Sequence, residues 1–422
     1  MINCLDLKEQ HKNLKKEIFE AFEKVYDNTA FSGGPFVESF ENKFSDYIGT
    51  KYTVAVSNGT TSLHLSMLAL GIRPGDEVIM PANTFIATPW GPSHAGAKPV
   101  FVDCDKDTWE INPSEIEKAI TKNTKAIIGV HLYGQPFDID SVLEICRTNN
   151  LFLVEDSAQA QGAIYKGRRV GSFGDLSCYS FYPGKNLGAC GEGGAITTNN
   201  ESYFNKLRSL RNHGSTVRYY HDEIGFNYRM GGLEGASLEI KLKYLDVFNN
   251  KRKNIAKRYK SEIYNPLIKM QTAYDNTESV YHLFVVTTEE KDKFVNYLKL
   301  NGINPAFHYP VPCHLQKAYS NLGYVKGDFP NSEYLASKCV SLPMYPELKN
   351  EQVDADIFCK ELPSETWKDM TDKLVLEETS SRIIKNFEHN HNLLLVKGKD
   401  IEQFNKFGYE LDEKILVLPL LN

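Results

Sequence analysis

Leu151-Phe152-Leu153-Val154-Glu155-Asp156-Ser157-Ala158-Gln159 decides the fold: four apolar residues end in two carboxylates, and small polar residues follow. A short apolar run of this kind reads as a strand buried on both faces, as in a parallel sheet. The end of such a strand is where a functional carboxylate belongs. A short distance on comes Ser180-Phe181-Tyr182-Pro183-Gly184-Lys185-Asn186-Leu187-Gly188, in which Pro183-Gly184 constrains the loop that presents Lys185. A lysine amine bonds to an aldehyde only when it is held in place and partly deprotonated. A carboxylate such as Asp156, paired with a protonated pyridine nitrogen, keeps a bound ring acting as an electron sink. Taken singly, the two residues read better as a solvated lysine and a helix cap. In combination they have the pattern of a pyridoxal phosphate site.

Other glycine motifs fail on their residues. A phosphate-binding P-loop needs glycine where Tyr179 stands and Ser or Thr where Asn186 stands. Gly188, Gly191, Gly193 and Gly194 lead into the strand-like Gly194-Ala195-Ile196-Thr197-Thr198, whereas a dinucleotide fingerprint opens a helix. Nicotinamide chemistry is therefore disfavoured.

Outward from this stretch, strand-like runs at Thr53–Ser57, Glu77–Met80, Pro99–Val102 and Ala126–Val130 alternate with helical stretches. Alternation at this spacing predicts an α/β fold with a mostly parallel sheet covered on both faces. Two amphipathic helices precede it: one carries Leu14, Ile18, Ala21, Phe22 and Val25, and the other, after Ser32-Gly33-Gly34-Pro35, carries Phe36, Phe40, Phe44 and Tyr47. Residues 236–262 read as one long connecting helix whose Lys251-Arg252-Lys253 run is its wet face. A smaller α+β region follows, with strands at His282–Thr287 and Pro305–Tyr309 around a helix at Glu290–Leu300. The expected division is a large domain over 1–250, a small C-terminal domain over 251–353 and an accessory extension over 354–422. In the extension, Trp367, a helix at Glu377–Phe387 and the strand-like Leu393–Val396 and Ile415–Leu418 are expected to form a small α/β appendage without a catalytic set, and His389 and His391, whose spacing suits a metal in a strand, read better as solvated loop histidines because no Cys or carboxylate set completes a site.

Composition narrows the function. With 48 basic against 54 acidic residues among 422, the chain has a formal charge of −6 and no long basic block, which argues against a nucleic-acid partner. Its eight cysteines are scattered without CxxC spacing and read as reduced thiols of a cytoplasmic protein. Charges interrupt the N-terminal segment early, and no later run approaches the ~18 apolar residues of a membrane span.

The chain also strongly resembles the DegT/StrS-type aminotransferases that act on nucleotide-linked keto-sugars. The resemblance spans roughly residues 5 to 353 and rests on several ordered motifs: Phe31–Pro35, Ser57–Leu65, Pro74–Ile79, His131–Gln135, Glu155–Gln159, Ser180–Gly188, Arg211–Gly214 and Gly225–Met230. It implies the aspartate-aminotransferase fold, with a seven-stranded sheet, a smaller C-terminal domain and active sites at the interface of a homodimer. It implies Lys185 as the Schiff-base lysine, Asp156 as the pyridinium partner, Gln159 as a donor to the ring oxygen, Phe85 as the stacking ring, and Asn227 as a phosphate ligand from the neighbouring subunit. Gly59-Thr60-Thr61 opens a helix after a strand, so its N–H groups and hydroxyls form an anion site for the phosphate, with Ser180 adding another hydroxyl. Phe85 reads alternatively as core, and Thr60 and Thr61 as helix caps.

The substrate-facing candidates are Tyr182, Arg211, Arg229, His308 and Tyr309, with the two arginines assigned to the pyrophosphate. The expected reaction is ping-pong transamination from L-glutamate to a nucleotide keto-sugar. Dehydratases of this fold carry histidine where Lys185 stands, which favours transamination. The wording of Tyr182–Gly188 resembles enzymes that aminate carbon 3, so the expected substrate is a dTDP-3-keto-6-deoxyhexose. The alternatives are amination at C4 or C2 of another nucleotide keto-sugar, and a non-catalytic regulatory relative that keeps the fold.

Overall fold

Alternating apolar strands with helix-forming connections bury both faces of a sheet, and the computed structural model, which describes residues 1–357, shows the result. Seven strands form one sheet: β1 (Tyr52–Val56), β2 (Glu77–Pro81), β3 (Lys98–Val102), β4 (Thr124–Val130), β5 (Phe152–Asp156), β6 (Leu176–Ser180) and β7 (Gly194–Thr198), in the spatial order β1-β7-β6-β5-β4-β2-β3. All pairings are parallel except those of β7, which runs antiparallel to both β1 and β6. The α/β expectation with a mostly parallel seven-stranded sheet is therefore met. The decisive run pairs Val130 with Asp156 and Asp156 with Cys178, in the middle of the sheet.

Helices α1 (Lys8–Asp27), α2 (Pro35–Ile48), α3 (Gly59–Ala69), α4 (Ala87–His94), α5 (Pro113–Ala119), α6 (Ile139–Asn149), α7 (Glu201–Arg211), α8 (Gly232–Leu242) and α9 (Leu245–Glu262) accompany the sheet. One core cluster joins α3 to Val54, Val78, Ile128, Val154 and Cys178; another joins Ile79, Ile127 and Leu153 to Ile139 and Val142 of α6. The two clusters draw on alternate residues of the same strands, as pleating requires.

The expected single helix over 236–262 is two helices, broken at Lys243 and Tyr244. The charge run is also not uniformly wet. Arg252 is buried, and its Nη1 donates to the carbonyls of Tyr281, His282 and Met344 at 3.3, 3.2 and 2.7 Å. Lys251 alone fits the expectation of an exposed face fully. Farther on, strands at Lys269–Met270, Phe284–Thr287 and Cys339–Leu342 make a small antiparallel sheet. The strand expected over 305–309 is reduced to one bridge, Ala306 with Ser341, while Ile303–Asn304 pairs with Ile2–Asn3. Asp292–Asn301 falls in a separate structural unit and is helical up to Leu300. No helix of the described residues is long and apolar enough to cross a membrane. The readings of Trp367, residues 377–387, 393–396 and 415–418, His389 and His391 lie outside the described residues.

Candidate active site

Asp156 ends β5 and is almost fully buried. Its Oδ2 accepts a hydrogen bond from Thr88 Oγ1 at 2.8 Å, and its Oδ1 accepts from Ala158 N at 3.2 Å. Burial raises its pKa, and the Thr88 and Ala158 hydrogen bonds and the charge of Lys185 oppose the rise. Thr88 sits in the first turn of α4, a role that nothing in its own sequence signals. The preceding carboxylate does different work. Glu155 is wholly buried, takes Nε2 of His131 at 3.0 Å, and accepts the backbone N–H groups of Gly171, Phe173 and Gly174 at 2.7, 2.9 and 2.7 Å. Although burial acts to raise its pKa, these bonds and the His131 charge hold it below the ordinary value. Glu155 therefore folds the 171–174 loop under the strand end and leaves Asp156 as the carboxylate available to a ligand.

Lys185 is half-buried, and its backbone N–H closes a turn onto the Tyr182 carbonyl at 2.9 Å. Burial lowers its pKa to about 8, against the opposing pull of Asp156. Among the described residues no group accepts a hydrogen bond from its amine. The same region holds His282 and His308. Burial, reinforced by the Lys185 charge, pushes His282 well below its ordinary pKa and His308 down to about 4. Both are neutral imidazoles near neutral pH. Nδ1 of His282 faces Asn186 Oδ1 at 3.2 Å, and Nδ1 of His308 faces Ser341 Oγ at 2.7 Å. The sequence marks His282 only as the start of a strand, since a single histidine before an apolar run carries no site signal.

Gln159 accepts from Tyr133 N at 2.7 Å and donates through Nε2 to Tyr309 Oη at 2.9 Å. Tyr133 Oη in turn donates to the His308 carbonyl. The 132–134 turn, the loop after β5 and the 308–309 segment are thus tied into one circuit. Phe85 is 49% exposed and Tyr182 56%, and the Phe85 ring lies 5.4 Å from that of Tyr309.

The N-terminus of α3 closes against β6 and β7. A Cβ on Gly59 would stand 2.6 Å from Ser180 Cβ, and one on Gly194 would stand 2.4 Å from the Asn58 carbonyl. Thr61 forms the capping box with Asn58, which favours the cap reading for its hydroxyl. Thr60 is half-buried and, among the described residues, has no side-chain hydrogen bond. Ser180 Oγ accepts weakly from Tyr182 N at 3.3 Å.

These donors fit pyridoxal phosphate. The unpartnered amine of Lys185 suits the aldehyde, buried Asp156 suits the ring nitrogen, and the tight α3 N-terminus with Thr60 suits the phosphate.

The arginines are placed elsewhere. Arg211 Nη1 donates to Glu41 Oε1 and, at 2.6 Å, to the Ala55 carbonyl, while Glu41 Oε1 also accepts Ala55 N at 2.7 Å. Arg211 and Glu41 thereby satisfy the outer edge of strand β1, which gives Arg211 a structural role beside its place in the cleft. Arg229 Nη1 donates to Asn212 Oδ1 at 2.8 Å, and Asn227 bridges Asn212 through the backbone. Arg208, Arg211 and Arg229 line a cleft of about 580 Å³ with Ser32, Gly33 and Thr216, and Lys185, Asp156 and Gln159 do not line it.

Comparisons with known proteins agree with this chemistry. The DegT/DnrJ/EryC1/StrS aminotransferase family matches residues 12–357. The chain is 46% identical over 354 residues to the dTDP-3-amino-3,6-dideoxy-alpha-D-galactopyranose transaminase of Aneurinibacillus thermoaerophilus, covering 84% of this chain and 97% of the relative. It is 40% identical over 354 residues to a protein of Geobacillus stearothermophilus named pleiotropic regulatory protein, covering 83% of this chain and 95% of that one. The solved structure of DesV from S. venezuelae superposes with a TM-score of 0.83 at 40% identity, over 86% of this chain and 99% of that chain.

Proposed function

Because this chain belongs to the DegT/DnrJ/EryC1/StrS aminotransferase family and is a pyridoxal-phosphate-dependent sugar aminotransferase, we propose that it carries an amino group from L-glutamate to carbon 3 of a dTDP-linked 3-keto-6-deoxyhexose. The observation that carries the reading is the unpartnered, half-buried Lys185 amine, whose pKa near 8 makes it both a nucleophile and a proton carrier. The regiochemistry is supported by the Tyr182–Gly188 loop and by the name of the 46% identical relative.

When bound, the cofactor supplies the electron sink that lets a C–H bond beside the nitrogen ionise. Asp156 provides the buried negative charge that keeps the ring nitrogen protonated. Gln159 has one N–H on Tyr309 and a second free for the ring oxygen. The α3 N-terminus and Thr60 would hold the phosphate, and Phe85 would cover the ring and exclude water. Lys185 Nζ then takes the proton from the donor's α-carbon, and in the second half-reaction it delivers one to the sugar carbon that has gained nitrogen. Tyr182, His308 and Tyr309 orient the sugar; neutral His308 can donate or accept without adding charge.

In this reading the enzyme is a cytoplasmic homodimer with domains at 1–250 and 251–353. Asn227 and Arg229 of a second copy reach the phosphate and the nucleotide. The test is incubation of the loaded enzyme with 15N-glutamate and a panel of nucleotide keto-sugars, followed by product NMR. Nitrogen at C3 is expected. Nitrogen at C4 or C2 overturns the regiochemistry. The name of the Geobacillus relative is the one observation on the side of a regulatory role; absence of a half-reaction with glutamate in the yellow, cofactor-loaded protein would overturn glutamate as the donor.

A further inference from the structure

Three lysines of α9, Lys253, Lys257 and Lys260, recur at the i, i+4, i+7 spacing that places them on one helix face. They border a cleft of about 470 Å³ whose opposite wall is Thr277, Glu278, Ser279 and Tyr281. Lys253 is neutralised by Glu278 at 2.5 Å. Among the described residues, Lys257 has no carboxylate partner, and Lys260 rests over the Tyr281 ring, its Nζ 5.3 Å from the centroid. The cleft therefore holds two uncompensated cations beside hydroxyl groups and an aromatic ring, a combination suited to a multiply charged oxyanion.

The inner sides of both walls meet at one residue. Asn186, next in the chain to Lys185, donates through Nδ2 to Asn249 Oδ1 of α9 at 2.9 Å and to the Val280 carbonyl at 3.0 Å. Its Oδ1 faces His282 Nδ1 at 3.2 Å. Along the 279–282 segment, Ser279 and Tyr281 line the cleft while Val280 and His282 point inward. Val280 N is also bonded to the Gly134 carbonyl at 3.0 Å, and a Cβ on Gly134 would stand 3.0 Å from the backbone nitrogens of Tyr281 and His282, so the segment has little room to move alone.

We propose that this cleft is a second ligand site, separate from the reaction centre, that binds a diphosphate between the α9 lysines and the 277–281 wall. Occupancy draws the two walls together and is felt at Asn186, and so at the lysine beside it. The diphosphate can be inorganic or the head of a nucleotide, since both present the same charge and oxygens.

The test is calorimetric titration of the full-length, cofactor-loaded protein with inorganic pyrophosphate and, separately, with dTDP, while the visible band of the bound cofactor is recorded. Saturable binding that shifts the band is expected. In the double variant Lys257→Gln, Lys260→Gln, affinity should fall by about tenfold or more, as loss of two charge-assisted contacts requires. Its glutamate half-reaction without added anion should stay within about twofold of the parent, as expected for surface substitutions remote from the chemistry. A tighter response to dTDP that is lost in the double variant assigns a nucleotide, and an equal one assigns inorganic diphosphate. Unchanged pyrophosphate affinity in the double variant overturns the site, because the anion is then held elsewhere. Binding that depends on the lysines but leaves the cofactor band unmoved overturns the coupling. Both results hold whichever sugar the enzyme aminates.

Discussion

Lys185 has a folded-state pKa of about 8 against an ordinary value of 10.5. Between these values the unfolded chain binds the extra proton, so stability rises with pH. The cost of burying the ammonium is present in full below pH 8 and fades as the pH approaches 10.5. Cofactor-free Lys185→Met should accordingly be more stable than the parent by about 1–3 kcal/mol near neutral pH, a discounted figure for a half-buried group. Chemical denaturation at several pH values checks this, and a gap that widens with pH would contradict it. Thr88→Val removes a donor from buried Asp156 and should weaken cofactor retention by about tenfold, with the fold unchanged. Retention equal to the parent on dialysis would show that the Thr88 bond supports nothing in the site. Lys185 and Asp156 were legible in the sequence because each stands in a local pattern. Thr88 and His282 were not, and His131 and Asn186 stood in quoted motifs without their roles showing, because the partners lie far along the chain and only the fold brings them together.

At the scale of elements, the tight approach of α3 to β6 makes Gly59→Ala a probe of the phosphate cradle. The added methyl would stand 2.6 Å from Ser180 Cβ, so the helix end must retreat. The expected result is a cofactor dissociation constant about tenfold higher, from loss of roughly one charge-assisted contact, with a far-ultraviolet spectrum like the parent's. Undiminished affinity would remove this helix end from the site. Arg211→Ala should act on stability, costing about 2–4 kcal/mol, because it leaves Glu41 uncompensated against the edge of β1. A raised sugar KM with unchanged thermal midpoint would favour the substrate assignment over the structural one. Six strands of the large sheet were readable to within two residues from apolar runs, whereas β6, whose Leu176-Ser177-Cys178-Tyr179-Ser180 mixes polar with apolar residues, was not, and the strand expected over 305–309 is a single bridge. The break at Lys243 and Tyr244 and the burial of Arg252 were not, since helical periodicity continues across the break and the charge run gives no sign that three carbonyls await the guanidinium.

For the whole molecule, Arg229 and Asn227 present a test of assembly. The cleft that Arg229 lines excludes Lys185, so on the proposed reading a complete site needs a second copy. Asn227→Ala and Lys185→Ala subunits should each be impaired alone, and mixing them should return partial glutamate half-reaction activity, with one intact site in each heterodimer. No recovery after verified subunit exchange would place Asn227 outside the neighbouring site. The sheet and its catalytic strand end could be foreseen because α/β alternation and strand-end carboxylates are local signals. Division of labour among the arginines could not, as charge alone does not distinguish an arginine that caps a strand from one that meets a ligand.

The position of β7 has a consequence for biosynthesis. Within the seven-stranded sheet β1 has β7 as its one neighbour, its other contact being the bridge from Val56 to Arg229 later still in the chain, and α3, which follows β1 directly, closes on Ser180 and Gly194. As the chain emerges from the ribosome, β1 must wait for β7 to be made before it has any neighbour in the sheet. The α3 end proposed to hold the phosphate therefore forms after the lysine loop, and on that reading a nascent chain meets its cofactor only once the strand beyond Lys185 has come home.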